Sequence, residues 1–231
     1  MATLQYLGHS GVRIEDGTFC LLVDPFLSGN GTAPMGWEEA AQGATHVLLT
    51  HGHSDHVGDT VAIAQANHIP VLAMVELAAW LNKQGVETTL PANFGGTVEL
   101  GHGVSVTLVP AWHSSSSDAG DYLGNSAGLV IRLGKTTIYH AGDTSIFGDM
   151  ALINEMYKPD VVLLPMGGTY TMDAVTAALA AEKYFKQAKV VPLHYATFPV
   201  LAPDCRAFME ACQQRGVLAV ELAPGAKLEL A

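Results

Sequence analysis

The segment His51-Gly-His53-Ser-Asp55-His56 sets three imidazoles and one carboxylate within six residues. It follows the β-type run 45–50 (THVLLT) and precedes a helical pattern, so it occupies a strand-to-helix turn. A turn lets neighbouring side chains converge on two points, which neither the period of a strand nor that of a helix allows at this spacing. Imidazole and carboxylate are ligands that suit zinc and also manganese or iron. A surface histidine cluster would be the bland reading, but this spacing and context favour ligands. Four residues cannot fill the shells of two ions, so further ligands are expected at the ends of later strands. His113 (in AWHSSSSD) follows a run ending at Val109, Asp143 (in HAGDT) follows the run 136–139, and His194 (in PLHYATFP) follows the run 190–193. Strand ends are where an α/β architecture gathers its functional groups.

The elements that must position these residues are legible as short alternations. Runs 4–7, 12–15 and 19–23 are expected strands, with Asp16-Gly17 as a hairpin turn between the last two. The apolar run 45–50 suits a central buried strand. A helix over 57–67, a strand over 70–74 and a helix over 76–84 ending at Gly85 follow. The second half repeats the logic. Strands are expected at 104–109, 128–133, 136–139, 160–165, 190–193, 217–221 and 227–230, and helices at 147–157, 172–185 and 203–215. Each half thus runs from a β-meander to alternating strand and helix. No low-complexity linker divides them, and a single domain over 1–231 is expected. The irregular stretches 27–36 and 114–125, rich in Gly, Ser, Asn and Asp, have the length of functional loops.

Composition narrows the class. Hydrophobic residues make up 49% of the 231 and charged residues 14%, which describes a globular chain. The net charge of −11, with only 11 Lys and Arg scattered along the chain, argues against a nucleic-acid partner. An anionic small-molecule substrate remains admissible, because site metals outweigh the global charge locally. The start MATLQYLGHSGVRIE lacks the pattern of a signal peptide, and runs such as 161–165 are far too short for a membrane span. Cys20, Cys205 and Cys212 form no CxxC pair, and the last two share a helical pattern that disfavours a disulfide. Reduced thiols and a cytoplasmic location are expected. The mean hydropathy of +0.25 fits a large core or a homo-oligomer interface equally.

Taken together, His-x-His-x-Asp-His, a lone His, a Gly-Asp-Thr and a last lone His resemble the metallo-β-lactamase superfamily. Gly8-His9-Ser10, Asp24-Pro25-Phe26, 139–144 (YHAGDT), Gly167-Gly168 and 194–199 (HYATFP) narrow the resemblance to a bacterial and archaeal family of metal-dependent hydrolases. L-ascorbate-6-phosphate lactonase and N-acyl-phosphatidylethanolamine phospholipase D are more distantly similar. The resemblance implies an α/β four-layer αββα sandwich, two mixed sheets flanked by helices. It also implies two divalent metal ions, zinc first and manganese, iron or nickel as alternatives. One ion would take His51, His53 and His113, and the other Asp55, His56 and His194, with Asp143 bridging. Asp55, Asp143 and His194 would stand closest to the reacting groups. The activity implied is hydrolysis of an ester-type bond, a lactone or phosphodiester, by an activated water.

Outer roles are more open. Asp24 either orients a ligand imidazole or simply turns the chain before Pro25. His9 and His140 either line the pocket or are hydrogen-bonded core histidines. Thr169, Tyr195 and Ser115 are candidates for substrate contact, whereas His46, His68 and His102 have no partner in the pattern. Met166 and Met172 are expected as core filler. A catalytically silent metal-binding protein and a nuclease of the same fold are the competing readings. The intact set of ligand-type residues speaks against the first and the acidic charge against the second.

Overall fold

The computed structural model describes residues 2–230. β1 (Thr3–Gly8), β2 (Gly11–Glu15) and β3 (Cys20–Val23) form an antiparallel meander. Its second turn is fastened by the Asp16 carboxylate, which accepts from the amides of Thr18 and Phe19. Beyond β3 the pairing becomes parallel, adding β4 (His46–Leu48), β5 (Val71–Met74) and β6 (Thr89–Ala92). Parallel neighbours require crossovers. These are α1 (Trp37–Ala40), then α2 (Ser54–Val57) with α3 (Thr60–Asn67), then α4 (Val75–Lys83).

The second sheet repeats the scheme. β7 (Thr97–Gly101), β8 (Val104–Pro110), β9 (Ala127–Leu133) and β10 (Thr136–His140) pair antiparallel. β11 (Val161–Pro165) and β12 (Lys189–Leu193) then add in parallel, through α5 (Met150–Tyr157) and α6 (Ala174–Tyr184). After α7 (Arg206–Arg215) the chain returns to pair β13 (Lys227–Glu229) with β1. The result is the expected α/β arrangement, two mixed sheets flanked by helices. Strand β11 is buried along its whole length, as its unbroken apolar run requires. One cluster of buried side chains, including Leu22 and Leu48 of the first sheet and Leu129 and Val162 of the second, joins both halves.

Two sequence expectations change. The helix expected at 57–67 is two helices, because Gly58 breaks it at φ +43. A Cβ at Gly58 would lie 2.5 Å from both Phe26 Cα and Pro25 O, so close backbone approach demands glycine there. Segment 217–221 is not a strand; it makes only an isolated bridge between Ala219 and Val190. Elements α1, β6 and β7 carry too little periodicity to be read in advance. All three cysteines are free and buried, with no disulfide between Cys205 and Cys212.

The Gly58 contact gives a test. Gly58→Ala is expected to lower the melting temperature by about 4–8 °C, from roughly 2 kcal/mol of strain and overlap. Gly148→Ala, where an added Cβ meets nothing within 4 Å, should leave it within about 1–2 °C. Equal melting temperatures in a thermal scan would contradict the packing at Gly58.

Candidate metal centre

Strand β4 ends at Leu48, and the chain turns through 51–53 before α2 begins with His53 at its N-cap position. The turn and the first helical residues send His51, His53, Asp55 and His56 towards the ends of β8, β10 and β12, which deliver His113, Asp143 and His194. Ligand-type atoms of His51, His53 and His113 lie within 4.8 Å of one another. The same holds for His51, His56 and Asp143, and for His9, Asp55, His56 and His194. Asp143 stands between the groups. Its Oδ1 is 3.4 Å from His56 Nε2, and its Oδ2 is 3.0 Å from His194 Nε2 and 3.6 Å from His113 Nε2.

Beneath the site lies a hydrogen-bond network that assigns protons. The Asp24 carboxylate is fully buried and accepts from the Thr50 hydroxyl (2.6 Å), the Thr50 amide (2.9 Å) and His56 Nδ1 (2.7 Å). The single hydroxyl proton of Thr50 is spent on Asp24, so its oxygen accepts from His51 Nδ1 at 3.0 Å. Both imidazoles therefore carry hydrogen on Nδ1, and Nε2 is the nitrogen each turns towards the site. Ser115 contributes from another direction, accepting from the Gly52 amide at 3.0 Å and fixing the turn itself.

The electrostatics demand positive charge at this place. Burial opposes a charged His56, yet the Asp143 and Asp24 carboxylates hold its pKa well above the usual 6.5. Burial likewise opposes ionised Asp143, but His56 and His194 hold that carboxyl well below the usual range. Burial, reinforced by the neighbouring His56, His113 and His53, keeps His51 well below its ordinary value. Among the described residues, His56 Nε2, Asp143 Oδ1 and both ring nitrogens of His194 are buried without a hydrogen-bond partner. Orphaned atoms of this kind are costly, and His56 Nε2, Asp143 Oδ1 and His194 Nε2, brought together from three strand ends, are what a divalent cation with N and O ligands would satisfy. The residues fit such a group.

The remaining expected residues take distinct places. His9 joins the site: its Nε2 lies 3.0 Å from Asp55 Oδ2, its Nδ1 2.9 Å from Thr197 Oγ1, and burial lowers its pKa to about 4. A neutral His9 donates to Asp55 from Nε2, and its Nδ1 faces the Thr197 hydroxyl, which also lies 3.2 Å from Tyr195 O. His140 lies under the site rather than in the cleft, donating from Nε2 to Ser10 O (2.9 Å) and accepting the Gly142 amide (3.1 Å). It ties β10 to the β1–β2 turn and steadies the loop carrying Asp143. Thr169 spends its hydroxyl on Val200 O, and Tyr195 is buried against Tyr6; neither lines the cleft. His68 is exposed and pairs with Glu87 at 3.3 Å.

The cleft over the site measures about 440 Å³ and is lined additionally by Asp118 and Tyr170. Neither is marked by a motif. The irregular stretch 114–125 was the only signal for Asp118, and the neighbouring Gly167-Gly168 the only one for Tyr170.

A family described as the β-lactamase superfamily domain matches residues 20–195, a span holding every residue of the site except His9. In sequence the chain is similar to a UPF0173 metal-dependent hydrolase of Chelativorans sp., 44% identical with 98% of this chain and 99% of that protein covered. It is similar also to one of Methylobacterium nodulans, 45% identical with 94% of each covered. In structure it matches Igni18, a metallo hydrolase from Ignicoccus hospitalis, at a TM-score of 0.89 and 32% identity, covering 100% of this chain and 99% of that one. An isothiocyanate hydrolase from Delia radicum gut bacteria shares the fold at a TM-score of 0.80 and 20% identity, with 99% of each covered.

Two expectations follow from the network. Asp24→Asn should weaken zinc binding about 10–100-fold in a competition titration while the protein stays folded; unchanged affinity would remove Asp24 from the site's support. The second concerns the chelated protein. His9, His51 and His140 have folded pKa values below 6.5, so their contribution is complete above about 6.5 and is lost as pH falls. His56, raised above 6.5, contributes below that value and loses its contribution as pH rises through its folded pKa. Urea unfolding of chelated protein should therefore be most stable near about pH 6.5, and a monotonic profile would contradict these shifts.

Proposed function

We propose, for a chain that belongs to the β-lactamase superfamily and is a metal-dependent hydrolase, that a dinuclear centre hydrolyses an ester-type bond of a small molecule. The observation that carries this reading is Asp143, whose two carboxylate oxygens face His56 on one side and His113 and His194 on the other. On this reading His51, His53 and His113 would hold one cation, Asp55, His56 and His194 would hold the second, and Asp143 would serve both. Bound there, divalent cations lower the pKa of water towards neutrality and polarise the oxygen of the scissile bond. Zinc suits the site first; manganese, iron and nickel also suit a set of His and Asp without thiolate.

The chain's own residues do the preparatory work. Asp24 and Thr50 hold the ring nitrogens of His51 and His56 in the ligating tautomer. His9 donates to Asp55 Oδ2, the oxygen that also faces His56 at 3.9 Å and His194 at 3.8 Å, and so holds that carboxylate in place. Asp143, kept ionised by its two histidine neighbours, balances the positive charge of the centre. The cleft of about 440 Å³ suits a small molecule such as a lactone or a small phosphodiester. The chain's acidic charge speaks against nucleic acid as substrate, and no helix among the described residues is long and apolar enough to cross a membrane.

Metal content and turnover test the reading together. His53→Ala is expected to lose one of the two cations and at least about 100-fold in turnover of lactone or bis-4-nitrophenyl phosphate. Asp143→Ala should deplete both, whereas His68→Ala should match wild type in metal content and rate. Chelation should abolish turnover and zinc or manganese should restore it. Wild-type protein that carries two cations per chain but turns over no ester would defeat the proposed bond class.

A further inference from the structure

The cleft does not end at the metal ligands. Ser54 and Asp118, which line it, also line a second cavity of about 420 Å³ bounded by Val57, Val61 and Trp80. Trp80, Gln84 and Asp121 are shared in turn with a third cavity of about 380 Å³ that follows α4 to Glu76 and Lys83. The three form one groove leading away from the metal centre. Its outer wall is the loop 114–125, and that loop is built rather than slack. Ser117 N donates to Asp121 O (3.0 Å), Gly120 N to Ser117 O (2.9 Å) and Ser117 Oγ to the Asp121 carboxylate (2.9 Å). Ser116 bridges Tyr122. Leu123 packs so tightly on Gly52 that a Cβ there would overlap it, which locks the wall onto the metal-binding turn.

The groove's chemistry is one-sided. Trp80, Val57 and Val61 give an apolar face beside the metal cleft, and Trp80 is only partly buried, so its ring is available to a ligand. Among the described residues, the carboxylates lining the first two cavities are Asp55, Asp118, Asp121 and Asp143, with no Lys or Arg. The first positive side chain, Lys83, stands in the third. An aromatic face offers large contact area at small entropic cost, and two rim carboxylates repel an anion at short range.

We infer that the Trp80 groove is the specificity subsite for the substrate's tail, and that it takes an uncharged apolar chain joined to the scissile bond. The anionic substrate that composition alone admits is disfavoured wherever its charge falls beyond the metals, because it meets Asp118 and Asp121. This inference deepens the hydrolytic reading above and rests on it for the position of the scissile bond. The binding of the chain to the groove can be read without turnover.

The experiment has a binding arm and a kinetic arm, both on the full chain. In Trp37→Phe/Trp112→Phe protein, Trp80 is the sole tryptophan, and its emission is titrated with 1-octanol and with octyl sulfate, in chelated and in zinc-loaded protein. A saturable shift with 1-octanol, and binding of octyl sulfate at least about tenfold weaker in the chelated protein, is expected; Asp118→Asn/Asp121→Asn should narrow that gap. In the kinetic arm, zinc-loaded protein is given 4-nitrophenyl octanoate and 4-nitrophenyl acetate. The octanoate-to-acetate ratio of kcat/KM should exceed about tenfold. It should collapse through KM in Trp80→Ala and be retained in Trp80→Phe. No saturable change with 1-octanol, or a ratio that survives in Trp80→Ala of wild-type melting temperature, overturns the subsite. Octanol binding by a protein that hydrolyses neither ester supports the groove and overturns the proposed bond class, so the two failures are distinguishable.

Discussion

Asp24 keeps its carboxylate fully buried with hydrogen-bond donors, not a cationic Lys or Arg side chain, as its direct partners, and the metal centre is assembled on it. A buried charge is costly unless it is well hydrogen-bonded or paired. Thr50 supplies two of the donors and His56 the third, which binds the end of β3 to the turn after β4. Parallel pairing of these strands makes the meeting possible, with the Asp24 amide donating to Leu48 O at 3.1 Å. The same bonds settle which nitrogen of His51 and His56 is left free. A structural requirement, satisfying one buried carboxylate, is thus also the step that orients two candidate ligands.

The two halves of the chain meet at this place because each ends its meander in parallel strands. The first half contributes the turn after β4, and the second contributes His113, Asp143 and His194 from three further strand ends. His140 crosses between them, bonding Ser10 from the second sheet. The site therefore depends on the relative placement of the sheets, which the shared apolar cluster fixes.

Much of this was legible in the residues. His51, His53, Asp55 and His56 announce themselves because no packing rule accounts for such types at such spacing, and the strand ends before Asp143 and His194 follow from apolar runs. The roles of Asp24, His9 and His140 were not decidable, since each rests on a partner 26 or more residues away in sequence. The helix expected over 57–67 runs straight through Gly58, because the approach of the chain at 25–26 leaves no trace in the local sequence. Strands β6 and β7 escaped notice for local reasons: Pro91 interrupts one, and the other is half exposed along its length. Asp118 and Tyr170 owe their position to loop paths that no periodicity encodes. Thr169 and Tyr195 illustrate the converse, polar groups beside motifs whose hydrogen bonds and packing turn them elsewhere.

Three residues of the site, His9, Asp24 and His194, hold left-handed backbone at φ 55, 45 and 62, and the His194 amide donates to His9 O at 2.8 Å. Each such residue costs about 1–2 kcal/mol relative to glycine. Glycine would relax the backbone at all three, yet it would erase an imidazole or a carboxylate that the centre requires. Selection for robustness and selection for chemistry therefore pull in opposite directions at the same three positions. At these three positions the backbone is held in a form that suits glycine for the sake of side chains that glycine lacks, and a lineage with no use for those side chains would be free to drift towards glycine there.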